Sequence, residues 1–359
     1  MNYRTTELVA EKDLTAGAGT ETIDINIKDI ISRIQIQFRT KNPSGALTIQ
    51  ETEAANLPKI ELVDGSTVLY SLSGMQGQAI DFFDTLVPNQ SNGSFVPNWD
   101  LLACVNINFG RKLWDKELAF DPKRFSNPQL KVTYDEDAAV ASTIVNGLSV
   151  FADVFDERVV SPIGFLLNKE HKSYTATANA WEETDMPTDL PLRKLMVQIR
   201  HASWWFGALL SELKLSEDND KRIPIYMTAK FLERWLESIW PPYWQHLVAD
   251  LDQTTGDTLY TIPTQTITCD GNYATSAVLN GVPFSYSQVY KSGVSADIGY
   301  QAFEVVGNMP HGCFCIPFGN QQDMDDWYDL IGKSLILKLK AGELASGSIN
   351  IVTQQLKRY

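Results

Sequence analysis

The sequence predicts an all-β fold made of two tandem β-sandwich domains with a few short helices. Three observations support this prediction. Hydrophobic and polar residues alternate in many short segments, clear helical patterns are rare, and the two halves of the chain repeat an ordered set of segments. Alternation with a period of two is typical of a strand with one buried face. At roughly 150 residues per domain, the 359-residue length also fits two domains.

The first half of the chain contains the clearest strand patterns. Arg33–Arg39 reads Arg-Ile-Gln-Ile-Gln-Phe-Arg, with a hydrophobic residue at every second position. Asp64-Gly65 is a tight-turn signal between two further strand patterns. Gln76–Leu86 has a helix-like pattern. The predicted strands are Ile23–Ile27, Arg33–Arg39, Lys59–Val63, Thr67–Leu72, Cys104–Phe109 and Gln129–Tyr134.

Residues 141–190 carry few strand signals. Ser142–Val160 has hydrophobic residues at mixed helical spacing, and Trp181–Pro191 is acidic and interrupted by proline. Such a change of composition is typical of a segment between domains. We therefore interpret residues 141–190 as a linker between a first domain at 1–140 and a second at 191–359.

Strand patterns return in the second half, which also contains the clearest helix. Hydrophobic residues along Lys230–Ile239 follow helical spacing, and Pro241-Pro242 ends the pattern. From Thr258 onwards, short strand patterns are separated by Gly and Asn. The predicted strands are Lys194–Arg200, Glu212–Leu215, Ile223–Met227, Ser334–Lys340 and Ser348–Thr353.

An internal repeat relates the two halves. Arg33–Arg39 matches Lys194–Arg200: both are basic at each end, hydrophobic at the second, fourth and sixth positions, and Gln at the fifth. Val105–Gly110 resembles Phe314–Gly319, since both end in Phe-Gly and precede a stretch with Asp and Trp. Repeats in the same order are the signature of duplicated units.

Weaker pairs extend the repeat. In both halves a strand region precedes a helical segment: Ile60–Leu72 precedes the helix-like Gln76–Leu86, and Ile223–Met227 precedes the helix at Lys230–Ile239. Each copy is also predicted to close with a strand, at Leu130–Tyr134 in the first and at Ile349–Thr353 in the second. The second copy is longer, and we expect its additional residues as loops at about 241–299. The alternative is a single large sandwich whose strands resemble one another only because strands alternate.

Composition and motifs exclude several function classes. There are 44 acidic and 30 basic residues, so the formal net charge of −14 disfavours an extended nucleic-acid surface. We find no Gly-x-Ser-x-Gly elbow, no Walker loop and no Gly-x-Gly-x-x-Gly motif, so nucleophilic catalysis and nucleotide cofactors have no support. No run of 18 apolar residues occurs, and Met1–Glu21 is polar, so we expect neither a transmembrane helix nor a signal peptide.

Two groups of residues are candidates for metal binding. His311, Cys313 and Cys315 lie within five residues, but structural zinc sites use Cys-x-x-Cys spacing and a fourth ligand. On a strand the two cysteines would share one face, so we favour core packing. Acidic clusters occur at 135–137, 217–220 and 323–327. They lack the frame of a calcium loop, so we favour solvated turns over an interface calcium site.

An aromatic cluster lies within residues 204–244. Exposed aromatic residues would indicate a carbohydrate platform or an interface, and buried ones would indicate packing over the second domain. We favour a core or subunit-interface role. The cluster consists of Trp204, Trp205, Phe206, Trp235, Trp240, Tyr243 and Trp244.

Taken over its whole length, the chain resembles the double jelly-roll major capsid proteins of tailless icosahedral viruses, above all the corticovirus-like and related membrane-containing bacteriophage coat proteins. Leu130–Ala138 is similar to the last strand of a first jelly roll. Met186–Arg200 is similar to a linker that enters the first strand of a second jelly roll, and Ser216–Ile239 to the strand and helix that follow.

The resemblance implies two tandem eight-stranded jelly rolls and a structural role without catalytic residues, cofactors or metal sites. It implies homotrimers that form pseudo-hexagonal capsomers of an icosahedral shell. The implied partners are neighbouring capsomers, penton and minor capsid proteins and an internal viral membrane, with no sequence-specific nucleic acid. The implied location is the virion, after synthesis in the host cytoplasm.

Two other functions stay open. The abundance of Trp and Tyr is compatible with a two-domain carbohydrate-binding or adhesion protein, although the expected lack of a signal peptide argues against it. A glycoside-acting enzyme on a jelly-roll fold is the third alternative, because paired carboxylates that meet only in the folded chain leave no trace in sequence spacing.

Overall fold

The computed structural model describes residues 1–89, 91–201, 204–250, 258–271, 278–279, 288–292 and 301–359. Strands dominate this part of the chain. Its helices are α1 (Gly74–Thr85), α2 (Phe206–Leu209) and α3 (Ala229–Glu237). None of the described helices has the length and apolar character needed to span a membrane.

Eight strands form the first sandwich as two four-stranded sheets. Sheet 1A has the strand order β1-β9-β3-β7, and sheet 1B has the order β2-β8-β4-β5. A short additional strand, β6 (Gly93–Phe95), precedes β7. The eight strands are β1 (Tyr3–Lys12), β2 (Ala18–Asp24), β3 (Ile31–Lys41), β4 (Lys59–Asp64), β5 (Thr67–Leu72), β7 (Asp100–Asn108), β8 (Pro128–Asp135) and β9 (Ile144–Phe155).

The second sandwich repeats this arrangement. Sheet 2A has the order β10-β23-β12-β21, and sheet 2B has the order β11-β22-β13-β14. Its strands are β10 (Gly164–Thr175), β11 (Trp181–Asp185), β12 (Leu192–Ile199), β13 (Leu210–Glu217), β14 (Arg222–Thr228), β21 (Cys313–Pro317), β22 (Leu335–Ala341) and β23 (Ser348–Arg358).

Both sandwiches have the strand order of a jelly roll. In each, the first strand pairs with the eighth, the eighth also pairs with the third, and a helix follows the fifth strand. The two strongest sequence matches occupy equivalent positions, because β3 corresponds to β12 and β7 corresponds to β21. The predicted fold class, two tandem jelly rolls with few helices, is therefore confirmed.

Alternating hydrophobic residues of facing sheets fill the two cores. In β3, Ile34, Ile36 and Phe38 have no exposed surface, while the residues between them are partly exposed. This is the pattern expected when one face of a sheet packs on its partner sheet. Leu213 and Leu215 of β13 are buried in the same way in the second core.

The two sandwiches share one sheet. Strand β5 pairs in parallel with β10, where Tyr70 lies opposite Asn168 and Ser71 opposite Lys169. Sheets 1B and 2A therefore continue into a single eight-stranded sheet. This pairing fixes the relative position of the two jelly rolls through backbone hydrogen bonds as well as side-chain contacts.

Residues 141–190 differ from the expected strand-poor linker, because they contain β9, β10 and β11. In β9, Leu148, Val150, Ala152 and Val154 are fully buried at every second position. Phe151 adds a hydrophobic residue on the opposite face and obscures this alternation in the sequence. β11 is a short edge strand with few hydrophobic residues.

Three strand assignments change as a result. Leu130–Tyr134 lies in β8, the seventh strand of the first jelly roll rather than its last, and therefore corresponds to β22. Lys194–Arg200 enters the third strand of the second jelly roll rather than its first. The closing strands are β9 and β23, so Ile349–Thr353 is equivalent to a segment of β9.

The additional residues of the second jelly roll lie between α3 and β21, as strands rather than loops where they are described. Strands β17, β20 and β15 form a sheet that β6 of the first sandwich completes. Part of the expected insertion, at 251–257, 272–277, 280–287 and 293–300, lies outside the described residues. The strands are β15 (Tyr243–Ala249), β16 (Thr258–Tyr260), β17 (Pro263–Gly271), β18 (Val278–Leu279), β19 (Gln288–Ser292) and β20 (Gln301–Pro310).

Candidate functional interface

Helix α1 lies between the first jelly roll and the outer face of sheet 2A. Ser73 caps its start: the Ser73 hydroxyl accepts from the Gln76 amide, and the Gln76 side chain accepts from the Ser73 amide. This reciprocal capping box satisfies two backbone donors that a helix otherwise leaves unpaired. The cap therefore fixes where the helix begins and which residues face sheet 2A.

Asp81 attaches α1 to its own jelly roll. Its carboxylate accepts hydrogen bonds from the side-chain amides of Asn106 at 2.9 Å and Asn108 at 2.6 Å, both on β7. Burial raises the pKa of Asp81 to about 6, although the two amide donors favour the charged form. The helix is thus held along the edge strand of sheet 1A by a buried polar contact.

A buried charge cluster joins α1 to sheet 2A. One Asp84 carboxylate oxygen lies 2.5 Å from the Arg193 guanidinium and 2.5 Å from the Lys194 ammonium. The other accepts from the Gln354 amide at 2.8 Å. The three charged side chains are 1–2% exposed. Burial disfavours the Asp84 charge, but Lys194 and Arg193 outweigh it and hold the pKa of Asp84 below its ordinary value.

Further partners surround the two cations. The Lys194 ammonium donates to the Phe83 carbonyl at 2.6 Å and lies 5.4 Å from the centre of the Trp240 ring. The Arg193 guanidinium lies 5.4 Å from the centre of the Trp327 ring. Aromatic faces attract cations, most strongly where water is excluded. A carboxylate, amides, a carbonyl and aromatic rings together replace the lost hydration of these charges.

Apolar contacts complete the interface. Outward-facing residues of sheet 2A belong to the same buried cluster as the α1 residues and the first core. Both faces of β12 are therefore buried along its whole length. The shared residues of sheet 2A include Phe165, Leu167, Met196, Cys313, Cys315 and Val352, and those of α1 include Ile80, Phe82 and Phe83.

The two cysteines of the predicted strand point to the same face, as expected. Cys313 and Cys315 are fully buried in the apolar cluster, where burial raises the pKa of both thiols, that of Cys315 to about 12. The His311 ring instead contacts Gln78 through Nε2 at 2.7 Å. Within the described parts of the chain, no three His, Cys, Asp or Glu side chains are grouped to hold a metal ion.

The three acidic clusters serve turns and ion pairs. Asp135, Asp218 and Asp323 each accept a hydrogen bond from a backbone amide, of Asp137, Ser334 and Asp325 respectively. Such bonds are typical of Asp at turns. Glu217 accepts hydrogen bonds from Tyr328 and Arg222.

The aromatic cluster divides between the interior and the surface. Phe206 and Tyr243 are buried, and the predicted core role is confirmed for them. Trp204, Trp235 and Trp240 pack partly against the second core. Trp205 and Trp244 are 44% and 46% exposed. Sequence patterns had not separated these groups, because aromatic residues occur both in cores and on surfaces.

The contact between the jelly rolls was not predicted. In the sequence, Arg193 and Lys194 look like ordinary solvent-exposed residues at the start of a strand, and Asp84 looks like the end of a surface helix. One signal was available: β12 contains the adjacent cations Arg193 and Lys194, whereas Ser32 and Arg33 occupy the equivalent positions of β3. Only the fold shows which carboxylate lies opposite them.

This architecture defines a class of protein: two jelly rolls, equivalent in topology, that share one sheet and enclose a helix of the first. Solved structures have the same fold over their whole length. The major capsid protein of STIV is 13% identical with a TM-score of 0.63, covering 99% of this chain and 98% of that one. The major capsid protein P2 of bacteriophage PM2 is 9% identical with a TM-score of 0.55, at 99% and 98% coverage.

The PBCV-1 virus capsid protein has a TM-score of 0.52 and 11% identity, covering 99% of this chain and 93% of that chain. These solved structures are double jelly-roll major capsid proteins, so the predicted resemblance is confirmed at the level of the fold. No protein-family model and no curated protein matches the sequence.

Proposed function

We propose that this chain is the major capsid protein of an icosahedral virus and that it acts as a structural protein rather than an enzyme. The observation that carries the proposal is the full-length match of both jelly rolls to viral major capsid proteins. A match to one sandwich would mean little, since sandwiches serve many functions. Two sandwiches in the same order and relative position are far more specific.

The assembly unit in this proposal is a homotrimer. Two jelly rolls per chain give six per trimer, which supplies a pseudo-hexagonal unit from three identical copies. The sheet shared by β5 and β10 supports this, because it holds the two rolls of one chain in a fixed relation. Closed cyclic symmetry then needs only one further type of contact, repeated between copies.

Size-exclusion chromatography with light scattering tests the proposal. We expect a native mass of about three times 40.2 kDa, and shells or capsomer arrays by electron microscopy at high concentration. A monomer that neither trimerises nor forms particles at any concentration would contradict both the trimer and the capsid role.

The proposed partners are other copies of the chain, neighbouring capsomers, and the penton and minor capsid proteins that close a shell. An internal viral membrane is a further proposed partner. The proposed location is the virion. Cosedimentation of the trimer with lipid vesicles, compared with sedimentation alone, tests the membrane contact independently of assembly.

The carbohydrate-binding alternative is supported by one observation, the exposure of Trp205 and Trp244. Exposed Trp rings stack on sugar faces, but they also lie in protein interfaces. A glycan array separates the two: binding that Trp205→Ala and Trp244→Ala abolish would favour adhesion. A negative array together with trimers would favour capsid assembly.

A further inference from the structure

The two jelly rolls each place a helix after their fifth strand, and among the described residues the outer side of the first helix is covered while that of the second is exposed. Helix α1 follows β5 and packs on sheet 2A. Helix α3 follows β14 at the equivalent position, and Phe231 and Arg234 on its outer side are 66% and 70% exposed. The third residue of each helix differs accordingly: Gln76 bonds to Gln198 of sheet 2A, and Phe231 is in solvent.

The sheets show the reciprocal difference. Sheet 2A receives α1 on its outer face, and β12 is completely buried. Sheet 1A is its counterpart, and in β3 the outward residues Arg33, Gln35, Gln37 and Arg39 are all partly exposed. The chain therefore has an exposed helix face on one jelly roll and an exposed sheet face on the other.

The register of the strands identifies the centre of the exposed sheet face. Met196 lies opposite Val352 in sheet 2A, and Gln35 lies opposite Phe151 in sheet 1A. Phe151 thus stands where Val352 stands, but Val352 is fully buried beneath α1 and Phe151 is partly exposed. A hydrophobic residue at this position can pack against a helix that covers the sheet, as Val352 packs against α1.

Exposed acidic residues on sheet 1A and exposed cations on α3 have the opposite arrangement to the charges of the buried contact. In the buried contact the helix supplies a carboxylate and the sheet supplies cations. On α3 the exposed cations are Lys230 and Arg234, and Arg234 also pairs with Glu237 of the same helix at 2.6 Å. On β1 of sheet 1A, Glu7 lies opposite Phe151 and is exposed, and Glu11 is 72% exposed beside Arg39, with which it pairs at 3.1 Å.

We propose that the outer face of α3 in one copy docks on the outer face of sheet 1A in a second copy, centred on Phe231 and Phe151. This inference rests on the proposed capsid function and names the surfaces that would join its copies. The contact is heterologous, with a helix on one side and a sheet on the other, so each copy uses both surfaces. When this contact is repeated around a closed ring, both surfaces of every copy are occupied.

Two variants, each lacking one of the two surfaces, test this contact between copies, which we call the seam. Phe231→Asp removes the helix surface and leaves the sheet surface, whereas Phe151→Asp does the reverse. We expect each variant alone to be a folded monomer of about 40.2 kDa. We expect their equimolar mixture to form a complex of about twice that mass that grows no further, because one intact seam remains and the ring cannot close.

The matched control is Ile331→Asp, at a residue that is 68% exposed outside both surfaces. It should keep the native mass of the unmodified protein. Circular dichroism on every variant separates loss of assembly from loss of folding. For a variant that fails to fold, Arg234→Glu on the helix or Glu7→Arg on the sheet takes its place in the same mixing experiment.

The outcomes separate the seam from the function. Unmodified protein and both variants all forming trimers would overturn the seam and leave the capsid proposal standing. Variants that stay monomeric alone and also when mixed would overturn the reciprocal helix-on-sheet contact. An unmodified protein that never self-associates would overturn the capsid proposal, and the seam with it.

Discussion

The two jelly rolls have the same topology, but their equivalent surfaces differ in burial. Strand β12 of sheet 2A is buried on both faces, because α1 covers its outer side with a charge cluster and an apolar patch. Its counterpart β3 in sheet 1A keeps the alternation of a strand with one partly exposed face. A duplicated unit can therefore use one copy of a surface within the chain and leave the other for a neighbouring molecule. Burial, rather than topology, distinguishes the two.

The strongest test of this comparison replaces equivalent residues with the same charge. Val352→Asp places an unpaired carboxylate beneath α1, and we expect a loss of more than about 4 kcal/mol of unfolding free energy or no soluble protein. Phe151→Asp changes a residue that is partly exposed in the single chain, and at protein concentrations low enough for monomers we expect a loss of about 1 kcal/mol or less. Urea unfolding measures both. Equal losses would contradict the assignment of a buried and an exposed face.

The next test breaks the buried contact at its centre. Asp84→Ala leaves Arg193 and Lys194 buried without their carboxylate, and removal of one partner of a buried ion pair costs about 3–5 kcal/mol. We expect the urea midpoint to fall accordingly. Asp84→Ala combined with Lys194→Met should recover part of the loss, because it removes one of the stranded charges. No recovery would show that Lys194 does not depend on Asp84.

Much of this fold is predictable from the sequence, but the contact is not. The match between Arg33–Arg39 and Lys194–Arg200 identifies equivalent strands, because alternation and terminal charges are local properties. Strand β9 escapes prediction, since Phe151 stands on its outer face and obscures the period of two. The burial of Arg193 and Lys194 also escapes prediction, because it depends on a carboxylate more than a hundred residues away in the chain.

A third prediction concerns the support of α1 on the side of its own jelly roll. Gly74 begins α1 and donates to the Leu57 carbonyl at 2.7 Å, beside the short 3-10 helix Glu53–Asn56. Burial raises the pKa of Glu53 from 4.5 to about 7. The folded state therefore binds this proton more tightly than the unfolded chain. The resulting stabilisation is complete below pH 4.5 and is lost as the pH rises through 7.

Glu53→Gln removes this pH-dependent loss. We expect the unfolding free energy at pH 8 to increase by up to about 3 kcal/mol, since each pKa unit corresponds to about 1.4 kcal/mol, with little change at pH 4. Urea titrations at the two pH values measure the effect. A shift of the same size at both would show that ionisation of Glu53 is not its cause.

The smallest expected effect comes from an ion pair at the surface of sheet 2B. The Lys338 ammonium lies 2.8 Å from Glu183, whose side chain is 56% exposed, whereas Asp84 is 2% exposed. Water screens an exposed pair and long side chains lose entropy to form it, so Lys338→Ala should cost about 1 kcal/mol or less. In 1 M salt the loss of unfolding free energy in Lys338→Ala should shrink, because exposed charges are screened over a few ångströms.

The loss of unfolding free energy in Asp84→Ala should persist in the same buffer, because Arg193 and Lys194 are buried and shielded from ions. A comparable fall in both losses with salt would mean that the contact beneath α1 is accessible to solvent, and the distinction between the two jelly rolls would then rest on the apolar residues alone.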